Sequence, residues 1–339
     1  MIHVGIYGAT GYTGFELIKL LHHHPQVQVR FATARSAAGQ RLNDIFPTLL
    51  DTPLISAEEA NPGDVDFVFC CLPHGASAPV VQQALEAGAR VIDLSADFRL
   101  RNPDDYARWY GKGQPHPAPA LLEHAVYGLP ECYRERIRTA QLVANPGCFP
   151  TTVILALYPL LRAGLLGDAP VIVDSKTGIS GAGRSLSLRT HFSEAHETFS
   201  AYNIGRKHRH LAEMEQETGQ RIIFSPHLLP VVRGILSTIY VMVPPATDLA
   251  DLYEAYRIFA DEPFTHVLTE EKLPELRHVV GTNFCVIGAT MAMADHTAGQ
   301  AILVSVEDNL VKGASGQAVQ NMNLMAGLDE TMGLIERPA

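Results

Sequence analysis

The stretch Ile2 to Pro25, IHVGIYGATGYTGFELIKLLHHHP, decides the fold. An apolar run ends in Gly8, Gly11 and Gly14, spaced three apart, and the chain then takes up apolar residues every three to four positions, the period of an amphipathic helix. Strand, glycine turn and helix in that order allow close backbone approach to a ligand. The helix N-terminus then offers N–H groups and the positive end of its dipole to a pyrophosphate. Gly8, Thr10, Gly11, Tyr12, Thr13 and Gly14 are therefore expected to form a dinucleotide cradle.

The end of the second expected strand, Val27 to Thr33, chooses the dinucleotide. An NAD site needs a carboxylate there for the ribose hydroxyls, yet FATARSAAG (31–39) has none. Arg35 and Ser36, together with Thr33, suit a 2′-phosphate, so NADP(H) is the expected cofactor. DVDFVFCCLP (64–73) and ARVIDLSAD (89–97) are further continuous apolar runs, separated by the helical pattern APVVQQALEAG (78–88). Continuous apolar strands alternating with helices indicate a parallel sheet buried on both faces. The expectation is an α/β protein with an N-terminal Rossmann-type doubly wound domain.

Beyond Cys148 the texture changes. An apolar helix over about Pro150 to Ala163 leads to strand-like segments APVIVDSKT (169–177), QRIIFSPHL (220–228), GILSTIYVMV (234–243), HVVGTNFCVIG (278–288) and QAILVSVED (300–308). An amphipathic helix is expected over Leu249 to Phe259. Several strands after one helix predict an α+β catalytic domain with a mostly antiparallel sheet. The tail from Gly313 reads as a helix able to return to the first domain. The division is thus 1–147 with 313–339 for NADP binding, and 148–312 for catalysis and oligomerisation.

Composition narrows the class. The chain has 339 residues, 47% hydrophobic and 18% charged, with a formal charge of −10, which is the balance of a compact soluble enzyme. No basic stripe supports nucleic-acid binding. The five cysteines form no CxxC pair, so neither a disulfide framework nor a thiolate zinc site is expected, and a reducing cytoplasm fits best. No export signal precedes the first strand, and Phe149 to Leu166, the most apolar stretch, contains two prolines and an arginine. That favours a buried helix over a membrane span.

Cys148 stands in ANPGCFPTT (144–152), between a Pro-Gly turn and a helix start. A thiol at a helix N-terminus is stabilised as thiolate, the nucleophilic form. Cys70, Cys71 and Cys285 lie in apolar runs and read as small buried hydrophobes. A nucleophilic cysteine next to a nicotinamide implies attack on an activated acyl group or aldehyde, with hydride transfer at the thioester-linked carbon. That chemistry needs an acid/base, and YNIGRKHRHLAEME (202–215) supplies His208 and His210. A His-x-His metal site is the rival reading, but no third ligand of suitable spacing stands out, so no metal is expected. In SKTGISGAGRS (175–185), Gly178, Ser180 and Arg184 can form an anion-binding loop, or simply a turn between strands.

Taken together, GATGYTG (8–14), DLSADFRL (93–100), NPGCFPT (145–151), KTGISGAGR (176–184), KHRH (207–210), PHLLPVVRGI (226–235) and DNLVKGASGQAVQNMN (308–323) resemble the N-acetyl-γ-glutamyl-phosphate reductase family, related to aspartate-semialdehyde dehydrogenase. The resemblance spans nearly the whole chain. It implies NADPH-dependent reduction of N-acetylglutamyl 5-phosphate to the 5-semialdehyde with release of phosphate, in a cytoplasmic homodimer or homotetramer. It makes Cys148 the nucleophile and His208 the acid/base, with His210 nearby and Glu213 orienting. It places Arg99, Thr177 and Tyr202 against the substrate. The family often has proline where this chain has Ala212, and serine where it has Thr177. The same reduction on aspartyl phosphate or a carrier-linked aminoadipyl phosphate, and a non-catalytic NADP sensor, are the alternatives.

Overall fold

A computed structural model describes residues 1–269, 272–292 and 299–335. The last four residues of the expected C-terminal segment lie outside the described residues. The chain divides into two compact units, one of Met1–Pro146 with Ala314 onward, the other Gly147–Gly313.

In the first unit, strands β1 (Ile2–Tyr7), β2 (Val27–Thr33), β3 (Leu54–Ile55), β4 (Phe67–Cys70), β5 (Arg90–Asp93), β6 (Ala125–Tyr127) and β7 (Leu142–Ala144) form one sheet in the order β3-β2-β1-β4-β5-β7-β6. Every pairing is parallel. Central β4 shows why the apolar run is continuous. Phe67 and Phe69 pack into a core with Leu17, Leu21 and Met322, while Val68 and Cys70 pack on the opposite face with Val81 and Ala84. Alternate residues thus enter two separate cores, and helices cover both faces, which is the doubly wound arrangement. Edge strand β6 and its neighbour β7 are three residues each, too short for a periodic signal, and were not anticipated.

The second unit's sheet contains β8 (Val171–Gly178), β9 (Ser200–Ala201), β10 (Ile222–Leu229), β11 (Ile235–Met242), β12 (Thr265–Val267), β13 (Cys285–Met291) and β14 (Gln300–Glu307), ordered β12-β13-β14-β11-β8-β10-β9. The pairs β8–β10 and β12–β13 are parallel and the others antiparallel. The expected strand over 278–288 begins only at Cys285. A 3-10 turn at Leu276–His278 and Gly281 with φ +85° occupy its first half. The Val279-Val280 pair between the 3-10 turn and Gly281 extends the apolar pattern of the strand, so periodicity alone misplaced that boundary.

Helix Cys148–Arg162 lies against this sheet with most of its residues buried. Its polar atoms are satisfied internally: Thr152 Oγ1, Ser237 Oγ and Ser175 Oγ form a buried chain at 2.8 and 2.7 Å, and the Tyr256 hydroxyl donates to the Ala156 carbonyl at 2.6 Å. Among the described residues no helix is long and apolar enough to cross a membrane.

The glycine turn is built on backbone contacts. Gly8 has φ +88°, and a Cβ there would lie 2.4 Å from the Cys71 carbonyl oxygen. A Cβ on Gly14 would lie 2.4 Å from the Gly8 oxygen and 2.9 Å from the Ala9 Cα. Neither neighbour is a flexible side chain, so a methyl group must displace the turn itself. Gly14→Ala is expected to destabilise the first unit by about 1–3 kcal/mol, the cost of overpacking. It should also weaken NADPH binding. Denaturant unfolding and a nucleotide fluorescence titration check both effects.

Candidate active site

Cys148 is the first residue of its helix and Gly147 its N-cap. The thiol is half-buried and in no disulfide. The Gly147 N–H donates to Glu213 Oε2 at 3.0 Å, and Glu213 is fully buried. Glu213 belongs to helix His210–Thr218, one turn beyond His210, a spacing that puts both side chains on one face. The helix that carries a histidine of the predicted pair therefore also clamps the turn that presents the thiol.

The His210 backbone N–H donates to His208 Nδ1 at 3.2 Å, which leaves His208 Nε2 as the protonated nitrogen of the neutral ring. The two rings are 4.9 Å apart. Phe149, the residue after Cys148, meets His208 edge-on at 5.3 Å and His210 at 6.0 Å. Tyr202 meets His208 at 5.5 Å. Burial pushes the His208 pKa down to about 4, with the Arg209 cation adding to the effect, so this imidazole is neutral at neutral pH. Burial pushes the Tyr202 phenol up, as does Cys148 beside it, while Arg189 opposes them.

Gly313 packs against Cys148. A Cβ there would lie 2.6 Å from Glu307 Oε1 and 2.9 Å from the Cys148 Cβ. The expected anion loop follows β8. Buried Thr177 donates its hydroxyl to the Gly178 carbonyl at 3.3 Å. Gly178 lies against the backbone of Val232 and Arg233, where a Cβ would come within 2.7 Å. Ser180 Oγ accepts from Asn309 Nδ2 at 2.9 Å, and Asn309 Oδ1 accepts from the Gly234 N–H at 2.8 Å. The loop is thereby fixed from below, while Arg184 at its tip is exposed.

In the first unit, helix Tyr12–His22 starts from Gly11 with no acidic residue in its first turn, leaving its dipole uncompensated for an anion. Thr10, Gly11 and Thr13 are half-buried, while Tyr12 is exposed. Arg35 and Ser36 are exposed just beyond β2. Thr33, expected beside them, is buried, and its Oγ1 accepts from the Gly8 N–H at 3.3 Å, so it shapes the turn. Arg99 is buried with Nε donating to the Asn145 carbonyl and a terminal N–H to the Leu94 carbonyl, both at 2.8 Å.

Sequence reading missed Gln317. It is fully buried, and neither its amide nitrogen nor its oxygen has a hydrogen-bond partner among the described residues. Such a group is costly unless a ligand completes it. It stands two residues from Ser315, whose Oγ donates to the Thr13 carbonyl at 2.8 Å, which ties this helix start to the glycine turn. Together with the glycines that admit no Cβ, the orphaned amide suits a nucleotide carrying hydrogen-bonding groups. Among the described residues no group of three or more His, Cys, Asp or Glu is placed to hold a metal ion.

Comparison with known proteins places this geometry. The semialdehyde dehydrogenase NAD binding domain matches residues 3–140, and the semialdehyde dehydrogenase dimerisation domain matches residues 148–309. An N-acetyl-gamma-glutamyl-phosphate reductase of Geotalea daltonii is 48% identical, over 98% of this chain and 98% of its own. A probable chloroplastic N-acetyl-gamma-glutamyl-phosphate reductase of Arabidopsis thaliana is 45% identical, over 99% of this chain and 85% of its own. Among solved structures, an aspartate semialdehyde dehydrogenase II of Vibrio cholerae superposes with a TM-score of 0.74 at 19% identity, covering 96% of this chain and 98% of that one. This chain belongs to the semialdehyde dehydrogenase family, among its N-acetyl-gamma-glutamyl-phosphate reductases.

Proposed function

We propose that the chain reduces N-acetyl-L-glutamyl 5-phosphate to N-acetyl-L-glutamate 5-semialdehyde and phosphate, using NADPH, through a thioester on Cys148. The observation that carries this reading is a cysteine at a helix N-terminus, with Glu213 holding its turn and the His208 and His210 rings against the neighbouring Phe149. The near full-length likeness to reductases of that name supports the substrate. In this reading residues 1–147 and 313–339 bind NADP(H), and 148–312 carry catalysis and oligomerisation.

Gly8, Thr10, Gly11, Tyr12, Thr13 and Gly14 would hold the pyrophosphate and Arg35 and Ser36 the 2′-phosphate, with Gln317 a further amide contact. Bound there, NADPH supplies the hydride. The chain's own residues handle the rest. Cys148, as the thiolate whose proton a histidine already holds, attacks the acyl carbon, and the C–O bond to phosphate breaks. The imidazolium returns the proton to the departing phosphate. After reduction of the thioester, the tetrahedral oxyanion collapses and expels the Cys148 thiolate, which leaves the aldehyde.

The two histidines divide these tasks by environment. His208, held neutral by burial and with Nδ1 engaged, is suited to donate from Nε2 to the carbonyl oxygen. His210, one turn from Glu213, is suited to carry the proton, with Glu213 orienting. Arg99, Thr177, Gly178, Ser180, Arg184 and Tyr202 are assigned to the substrate, Arg99 acting through the backbone it holds.

The second sheet supports self-assembly. Ile172, Ile223, Tyr240 and Met242 are 44, 52, 41 and 38% exposed. Ile223 and Tyr240 both pair with Ile172, and Met242 is two residues on, so the four share one face. An apolar sheet face of this kind suits a second copy, in a homodimer or a homotetramer. Five cysteines in no disulfide are consistent with the cytoplasm.

Phosphate-dependent NADP reduction with the semialdehyde tests the reading in the reverse direction. Cys148→Ser is expected to lose more than about 10³-fold in kcat, as loss of a nucleophile does, with NADPH affinity unchanged; retained turnover contradicts the thioester. His210→Asn should cost roughly 10²–10⁴-fold, the scale of acid/base loss, and remove one limb of the pH–rate profile. His208→Asn should lower kcat and leave that limb in place.

A further inference from the structure

Between β8 and β9 the chain makes a 3-10 turn at Leu188–Thr190 and a short helix at Phe192–Ala195. Arg189 on that turn lies over the Tyr202 ring, its guanidinium carbon 6.0 Å from the ring centroid. Tyr202 is in turn packed on His208. Arg189 also lines a cavity of about 410 Å³ with Leu188, Glu194, Ala195, Thr198, Ser200 and Leu228. One side chain therefore joins the reactive cluster to a cavity of ligand size.

The chemistry of the lining is mixed in a particular way. It pairs one cation with one carboxylate, and adds the apolar Leu188, Ala195 and Leu228. A guanidinium beside a ring keeps N–H groups that can donate to a carboxylate in a fork. Glu194 supplies an acceptor for an N–H, and the aliphatic groups suit a methyl. An N-acylated amino acid carries these three complements at its non-reacting end: an α-carboxylate, an amide N–H and an acyl cap.

We propose that this cavity holds the non-reacting end of the substrate, with Arg189 pairing its α-carboxylate, Glu194 accepting from its amide N–H and the aliphatic wall receiving its acyl group. The proposal rests on the reductase reading above and extends it to what selects the substrate. Arg189 is then a specificity residue. Its loss weakens binding of a carboxylate-bearing substrate and leaves the bond-making steps alone.

The test uses the full-length enzyme in the phosphate-dependent oxidation assay, with N-acetylglutamate 5-semialdehyde and with 4-acetamidobutanal, the same aldehyde lacking the α-carboxylate. The wild type should prefer the first. Arg189→Ala should raise KM for it roughly 10- to 100-fold, the scale of a charge-assisted hydrogen bond, with kcat changed less than about threefold and 4-acetamidobutanal kinetics unaltered. Arg189→Lys, which keeps the charge and loses the fork, should fall between. Should Arg189→Ala fail to fold, the Lys variant reads the same preference. Equal losses on both aldehydes, or an unchanged KM, overturn the proposal. Absence of wild-type turnover of the semialdehyde instead overturns the reductase reading, so the two failures are distinct.

Discussion

The hydrogen bond from the Gly147 N–H to the Glu213 carboxylate is the contact on which the candidate site depends. A helix begins with backbone N–H groups that lack intrahelical partners, and a buried carboxylate is costly unless it is hydrogen-bonded. Each group answers the other's deficit. The pairing fixes the turn ahead of Cys148 and anchors the start of the helix that carries His210. Removing the carboxylate would free two elements at once.

Around that contact the protein spends its polar groups on position. Within the first unit, the end of β7 is held at Asn145: its N–H donates to the Asp93 carbonyl at 2.8 Å, its carbonyl accepts from Arg99, and its side chain bonds Ala314 and Asn321. Within the second unit, Gly313 packs on the Cys148 Cα and Cβ where no side chain fits. Cys148 thus follows a tightly held segment of backbone, the kind of support that preorganised catalysis requires. The neutral His208, by contrast, is tuned by burial rather than by a partner charge.

What the sequence revealed follows from which physical demands are local. The glycine turn was legible because a positive φ and backbone approach can be met only by glycine, and Cys148 because Pro-Gly before an apolar run marks a helix start. Central strands were legible because burial on both faces removes polar residues. Three-residue β6 and β7 were not, since they are shorter than any periodic window. The Glu213 contact spans 66 positions, and nothing local encodes it; only the family likeness drew attention to Glu213. Gln317 lies in a helix whose ten residues are all buried, so its pattern contains no outward face to set a functional residue apart. Arg189 lies in a mostly exposed segment without periodicity and became visible only through the ring and cavity it touches. Arg99 was recognised by its motif, yet its use, holding carbonyls rather than presenting an open charge, required the fold.

The central claim is that Cys148 is kept as a thiolate at its helix N-terminus. The rate of Cys148 alkylation by iodoacetamide, followed across pH by peptide mass spectrometry, measures this directly. The account predicts a titration midpoint well below the ordinary cysteine value of about 8.5, with Cys148 modified ahead of the other four cysteines. A midpoint at or above that value, or a Cys148 that resists alkylation at neutral pH, would contradict it.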